Sequence, residues 1–329
     1  MKIAIVKLSA IGDLFQALKS VKALKQSNPQ LHISWIVEKK YADAIKLADW
    51  IDEVIELDTY FLRKAWFTKK WFQELLRFRN LKFDLIFDLQ GNFKSSFITL
   101  IIPAKEKVGF DLFSTHEKIA IFPLTKRVAV DLNLPITRQH KKIFDSVTNL
   151  APLHFLKPIF KNDGQGLFCA LGAAWENKKL KVDHWVEVID LLGRTTHEKI
   201  YLPFFSNEEE KQVDEIVSKT QHAHKFPKSS LNRLKEAFLH SKGVIGVDSA
   251  LIHLANLFDV QTYGIFGPSN AKVFGPEFGG KFQVECPLRI EFIKRCPKLR
   301  TCPHGACLKK LDAQKLSLEV SEHFIKLVK

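Results

Sequence analysis

Two short turns, one in each half of the chain, carry the side chains best placed to do chemistry: Lys7-Leu-Ser-Ala-Ile-Gly-Asp13 and Gly246-Val-Asp-Ser-Ala-Leu-Ile-His253. The first offers the carboxylate of Asp13 beside Gly12, and a glycine lets a ligand approach the backbone closely. A carboxylate on such a turn can take a proton from a hydroxyl and so create a nucleophile. Asp is also a good helix N-cap, and position alone favours that plainer role. In the second turn Ser249 and His253 fall on one helix face, next to Asp248. Backbone N–H groups at that helix start would receive phosphate, helped by the helix dipole. Ser249 as an ordinary N-cap is compatible with such a site, and His253 alone reads as a core histidine. Lys178, within Glu176-Asn-Lys-Lys-Leu-Lys181, follows a strand ending near Leu171-Gly172 and precedes His184-Trp185. Lysine runs are usually solvated, but this position makes Lys178 a candidate diphosphate contact. Gly264-Ile-Phe-Gly-Pro268 closes a further strand with a turn.

Strands are needed to place these turns. Ile3–Val6, His32–Val37, Val54–Leu57, Leu85–Asp88 and a short Val108-Gly109-Phe110 read as strands in the first half. Leu14–Gln26, Tyr41–Ala48, Trp66–Arg79 and a segment after Gln90-Gly91-Asn92 read as helices. A polar stretch, Lys161-Asn-Asp-Gly-Gln-Gly166, closes this half. The alternation then restarts with strands at Leu167–Leu171, Lys199–Leu202, Gly243–Val247 and Thr262–Phe266. Helices are expected at Trp185–Leu192, Glu208–Ser218 (with Asn207 as N-cap), Leu231–Leu239, Ser249–Leu257 and Ala313–Val328. Such alternation implies βαβ units and parallel sheets, with ligands at the carboxyl ends of the strands. The expected fold class is α/β: two Rossmann-like domains, residues 1–160 and 161–310, facing each other across a cleft. A terminal helix within 311–329 is expected to pack back on the first domain.

Composition narrows the partners. The formal net charge of +14 favours nucleic acid, an anionic membrane surface or a phosphorylated substrate. No nucleic-acid-binding signature accompanies it, so no nucleic acid partner is expected. Arg63 and Lys64, with Trp66, Phe67, Lys69, Lys70, Trp71 and Phe72, interleave cations and aromatics in a way that suits lipid headgroups. An amphipathic helix packed on its own domain is the plainer reading of that stretch. No apolar run reaches membrane-spanning length, and the chain opens directly on a strand, so neither a span nor a signal peptide is expected. The expected location is the cytoplasm. The five cysteines are then reduced. Cys169 lies in an apolar strand and Cys286 carries no signal. Cys296, Cys302 and Cys307, with His304, resemble zinc ligands but lack two short Cys-x-x-Cys clips, so no metal is assigned. The first strand is not followed by Gly-x-Gly-x-x-Gly, which argues against a nicotinamide enzyme. A P-loop and a paired Asp-x-Asp are also missing. Charge on a leaving diphosphate would fall to lysine, helix N-termini and hydroxyls.

Taken together, Lys7 to Asp13, Asp88-Leu-Gln-Gly-Asn-Phe-Lys-Ser95, Lys178 ahead of His184-Trp185, and Val247 to His253 resemble glycosyltransferase family 9, the lipopolysaccharide heptosyltransferases. The resemblance runs in order from Met1 to about Pro268. Arg63-Lys-Ala-Trp-Phe67 and the Gln-Gly-x-x-Lys-Ser stretch are most like the heptosyltransferase I branch. The resemblance implies a GT-B fold and an inverting, metal-independent transfer of heptose from ADP-heptose to the Kdo of Kdo-lipid A, without a cofactor. Asp13 would be the general base. Lys178, Asp248, Ser249 and His253 would hold the donor diphosphate, and Glu209 would be the acid on its ribose or adenosine side. Arg63 and Lys64 would lie in the acceptor loop, and Lys7, Gln90 and Lys94 would join the acceptor side. A monomer at the inner leaflet of the cytoplasmic membrane is implied. Transfer of heptose to heptose, another nucleotide sugar, and a non-catalytic basic binding protein are the alternatives. Three departures stand out: Ala250 replaces a glycine, Lys19 replaces a proline, and Cys296 to Cys307 have no counterpart in the simplest pattern.

Overall fold

The apolar runs assemble into two separate sheets, each of six parallel strands. The computed structural model describes residues 1–58, 68–160, 164–302 and 305–325. Arg63, Lys64, Trp66, Phe67 and His304, all singled out from the sequence, lie outside the described residues. The chain divides into two units, Met1–Leu156 and Lys157–Lys329.

In the first unit the strands are β1 (Lys2–Val6), β2 (His32–Glu38), β3 (Glu53–Leu57), β4 (Phe83–Asp88), β5 (Ala104–Phe110) and β6 (Lys126–Val128). They lie in the order β3-β2-β1-β4-β5-β6. The helices are α1 (Ile11–Ser27), α2 (Ala42–Ile45), α3 (Lys69–Arg79), α4 (Phe93–Ile101) and α5 (Ile136–Asp145). The second unit holds β7 (Leu167–Ala170), β8 (Ile200–Leu202), β9 (Ala223–Lys225), β10 (Gly243–Val247), β11 (Thr262–Phe266) and β12 (Gly280–Gln283). Their order is β12-β11-β10-β7-β8-β9, the same winding as in the first unit. Its helices are α6 (Val182–Thr196), α7 (Asn207–Lys219), α8 (Leu231–Leu239), α9 (Ala250–Leu257), α10 (Ala271–Phe274) and α11 (Ala313–Ile325).

Parallel strands are covered on both faces, so the central ones must be apolar throughout. Ile3, Ala4, Ile5 and Val6 of β1 and Val244, Ile245 and Val247 of β10 are accordingly fully buried. The elements not expected from sequence are the short or polar ones. β6 and β9 are three-residue edge strands rich in Lys, Arg and His, and an edge needs no apolar pattern. α5 starts after Pro135 and buries Ile143 and Phe144, while its His140 Nδ1 lies 3.2 Å from Ser20 Oγ of α1. The N-cap of α7 is Ser206, whose hydroxyl accepts from the Glu209 N–H, and Asn207 is the first helical residue. The terminal helix packs on α6 in the second unit. Its stripe of Leu316, Val320 and Phe324 belongs to that unit's core. Lys19 sits buried inside α1, where it keeps the backbone N–H that a proline would remove.

Candidate active site

Strand order reverses between β1 and β4 in one sheet and between β7 and β10 in the other. At such switch points the connections leave in opposite directions and open a crevice outside the strand ends. The turn bearing Asp13 follows β1, and Asp88 to Lys94 follow β4. Lys178 follows β7, and Asp248 to His253 follow β10. Each unit thus has its candidate residues at its own switch point.

In the second unit the expected residues converge. Lys178, Asp248, Ser249 and His253 are all buried. The Lys178 ammonium donates to Asp248 Oδ2. Ser269 Oγ donates to the same oxygen at 2.5 Å, and His253 Nε2 lies 3.4 Å from Asp248 Oδ1. Burial alone would raise the Asp248 pKa. The Lys178 and His253 charges and hydrogen bonds outweigh it and hold the carboxyl well below the usual carboxylate range. Ser249 is the N-cap of α9, yet its side chain makes no capping hydrogen bond and its buried Oγ has no partner. Such a hydroxyl at a helix N-terminus is suited to an anionic ligand. Ala250 is the first residue of α9. It therefore sits in helical backbone, where a glycine's left-handed freedom is not required.

Glu209 joins this crevice from the start of α7. Its Oε2 accepts the Phe205 N–H at 2.8 Å. Its Oε1 lies where a Cβ on Gly172 would come within 2.2 Å of it. Gly172, just past β7, is thus what allows the carboxylate to lie over the strand end. Ser269 was not singled out from the sequence. Its only local signal is its place directly after the Gly267-Pro268 turn.

The first unit is built differently. Asp13 stands in the first turn of α1 with Ala10 at the N-cap position, so it does not cap the helix. The residue is half-buried. Gln90 Oε1 accepts the N–H groups of Leu8 and Ser9 at 3.2 and 3.3 Å. Lys7 Nζ, buried, donates to Leu89 O at 3.1 Å. Two of the expected acceptor residues therefore tie the β1 and β4 turns together. Lys94, the third, pairs at 3.1 Å with Glu38, a buried carboxylate at the end of β2 that the sequence reading missed. Asp88 Oδ1 accepts from the N–H groups of Gln90 and Gly91 at 2.9 and 3.0 Å, while Oδ2 is buried without a hydrogen-bond partner. Burial raises the Asp88 pKa above its ordinary value, more than the Gly91 N–H, the Ser95 hydroxyl, the Gln90 N–H and the nearby Lys7 lower it. Gly91 has φ +66°, and a Cβ there would meet Thr115 Oγ1 at 2.9 Å, so the turn demands glycine.

Among the described residues no helix is long and apolar enough to cross a membrane. The model for Glycosyltransferase family 9 (heptosyltransferase) matches residues 69–284. The chain is 26% identical over 302 residues to lipopolysaccharide heptosyltransferase 1 of Escherichia coli K12, covering 87% of this chain and 93% of that one. It is 23% identical over 325 residues to lipopolysaccharide heptosyltransferase 1 of Pseudomonas aeruginosa, covering 94% and 87%. Among solved structures, it is similar to E. coli heptosyltransferase WaaC with ADP (TM-score 0.79, 21% identity, 98% of this chain and 100% of that one). The same enzyme with ADP-2-deoxy-2-fluoro heptose gives a TM-score of 0.78 at 21% identity, covering 98% and 99%. These likenesses establish the GT-B fold. With the family model spanning well over half of its length and both switch points carrying the motifs, the chain belongs to glycosyltransferase family 9, the heptosyltransferases.

Proposed function

We propose that the protein transfers heptose from ADP-heptose to the Kdo of a lipid A-linked inner core, with inversion and without a metal ion. The observation that carries this reading is the buried Lys178–Asp248–His253–Ser269 cluster beside the unpartnered Ser249 hydroxyl at the N-terminus of α9. A diphosphate needs cations, N–H groups and hydroxyls fixed in advance, and this crevice supplies each. Asp248 acts by position: it accepts from Lys178, Ser269 and His253, and so aims their donors without facing the phosphate itself. The Asp13 carboxylate takes the proton of a Kdo hydroxyl. That oxygen attacks the anomeric carbon opposite the diphosphate, the C–O bond to ADP breaks, and ADP leaves with the electron pair. A single displacement of this kind inverts the centre. The relatives' name and the ADP-sugar analogue bound to the E. coli enzyme support the choice of donor.

A lipid-borne acceptor brings the protein to the cytoplasmic face of the inner membrane. The +14 charge and the exposed rings of Phe113 and Phe122 support contact with anionic lipid. The test is ADP release from purified protein given ADP-heptose in EDTA, with and without Kdo-lipid A. Acceptor-dependent release supports the reading. Silence from folded protein, with salt-sensitive binding to anionic vesicles or nucleic acid, would replace it with the non-catalytic alternative.

A further inference from the structure

Phe113 and Phe122, on the loop that joins β5 to β6, are 87% and 80% exposed. A single apolar side chain in water needs no explanation, but a group of them marks an interaction surface. Here Leu112 and Ile119 of the same loop, and Phe93 and Leu100 of α4, are exposed as well. Phe93 and Leu100 are seven apart and so share a helix face. Ile119 lies on a 3₁₀ turn, Lys118–Ile121, with Phe122 at its C-cap, and side chains three apart on such a turn line up. That turn packs on α4, where Ser96 Oγ donates to Ile119 O at 3.4 Å.

The backbone beneath these side chains is held in place. Asp111 Oδ1 accepts the Ser114 N–H at 2.9 Å and also the Ser114 hydroxyl, and Thr115 N donates to Asp111 O at 3.0 Å. Phe122 N donates to Ile119 O at 3.2 Å, between the buried Ala120 and Leu124. The rings therefore stand in water on a fixed support. The same loop is tied to the acceptor side of the first unit. Glu117 N and Thr115 Oγ1 both donate to Gly91 O, at 3.0 and 3.1 Å, and Glu117 Oε2 accepts the Phe93 N–H at 2.8 Å. The apolar surface thus adjoins the turn of Asp88, Gln90 and Gly91. These hydrogen bonds engage the acids of the loop, Asp111 and Glu117, whereas Lys118 and, on β6, Arg127 are exposed cations.

We propose that the β5–β6 loop and the exposed face of α4 enter the headgroup and upper acyl layer of an anionic phospholipid bilayer, and so hold the first unit's crevice at headgroup level. The inference rests on the reading of a lipid-borne acceptor and names the surface that meets its membrane. At a bilayer surface, rings and aliphatic side chains leave water for the acyl boundary while lysine and arginine meet phosphates. Phe113, Phe122 and Ile119 beside Lys118 and Arg127 supply both. A second copy of the chain fits less well. A two-fold contact sets the same patch against itself, which would bring Lys118 and Arg127 toward their own copies, like charge toward like. With the loop inserted, the acceptor sugar reaches the turn of Gln90 and Gly91 from the membrane plane while its acyl chains stay in the bilayer.

The test is co-sedimentation of the full-length protein with vesicles of phosphatidylglycerol and phosphatidylethanolamine, with neither glycolipid nor donor present. Phe113→Ser combined with Phe122→Ser should lower the partition coefficient about tenfold or more. Lys118→Gln and Arg127→Gln should each lower it about fivefold at low salt. Leu318→Ser, at an exposed position of α11, should bind as the wild type does. Insertion is read with Phe113→Trp, whose added fluorescence should be quenched by lipids brominated on their acyl chains. Circular dichroism checks folding. If the double variant does not fold, Phe113→Ser alone and the quenching of Phe113→Trp decide the matter. Undiminished partition of the folded double variant, or no added quenching, would overturn the surface. So would a wild-type dimer that the same two substitutions dissociate, since a second copy would then cover this face. Turnover separates the surface from the reading it rests on. With Kdo-lipid A in vesicles the double variant should lose kcat/KM by the factor it loses in partition, and with a deacylated, soluble acceptor it should match the wild type. A wild type inactive on both acceptors would end the transferase reading, and the vesicle result would still decide the surface.

Discussion

Asp88 and Asp248 occupy equivalent places, each at the carboxyl end of the fourth strand of its unit and at that unit's switch point. Both are buried, and they are handled in opposite ways. Asp248 sits among Lys178, Ser269 and His253 with its charge strongly favoured. Asp88 has two backbone N–H groups on one oxygen, none on the other, and a pKa raised by burial. One switch point is organised through charges, the other through hydrogen bonds that hold backbone turns. A site for a diphosphate must present cations, whereas a site for a base must fix where one carboxylate stands.

The contrast is tested most severely by Asp13→Asn. Turnover should fall by about 10²–10⁴-fold while ADP affinity, measured by calorimetry, stays within twofold. Unchanged turnover would remove Asp13 from its role. Next, Lys178→Met leaves the Asp248 charge buried and unpaired. The second unit should lose about 3–5 kcal/mol by hydrogen exchange, with protection in the first unit unchanged. Adding Asp248→Leu should restore part of the loss, and no recovery would mean that Lys178 contributes mainly by packing.

The two aspartates should also respond oppositely to acid. Asp88 has a raised folded pKa, so its charge destabilises the fold at neutral pH. That cost is relieved as pH falls through the folded value toward the unfolded one near ~4. Asp248 has a depressed folded pKa. Its contribution is full above ~4 and is lost only as pH falls below that, through the folded value. Exchange resolved by unit, compared with Asp88→Asn and Asp248→Asn, should show the first unit firming between neutrality and mild acid. A parallel response in both units would contradict the assignment. A smaller effect is expected for Gln90→Leu. It removes the acceptor of two backbone N–H groups, costs about 1–3 kcal/mol, and should lower turnover with ADP affinity intact. Smallest of all, Ala250→Gly should change donor affinity by less than about 1 kcal/mol, because that residue is already helical.

What could be read from the sequence follows the same division. Lys178, Asp248, Ser249 and His253 follow apolar central strands whose pattern is unmistakable, and the structure gathers them. The roles of Lys7 and Gln90 were not readable, because their hydrogen bonds join the ends of β1 and β4, strands far apart in sequence. Ser269 escaped notice for a similar reason: its partner, Asp248, ends the neighbouring strand. The edge strands β6 and β9 carry little apolar pattern because edges demand little. Cys286 carries no signal in the sequence because only the folded loop brings it to the small cavity that Cys296, Cys302 and Cys307 also line.

The packing of α11 on α6 bears on how the chain acquires its fold during synthesis. The first unit has all its strands and helices once residue 156 has emerged, and it can fold while the rest is still being made. The second unit lacks Leu316, Val320 and Phe324 until the end of its core is synthesised. Through that interval β7 to β12 wait with the α6 face uncovered. The core of the second unit therefore closes last, only once α11 covers the α6 face.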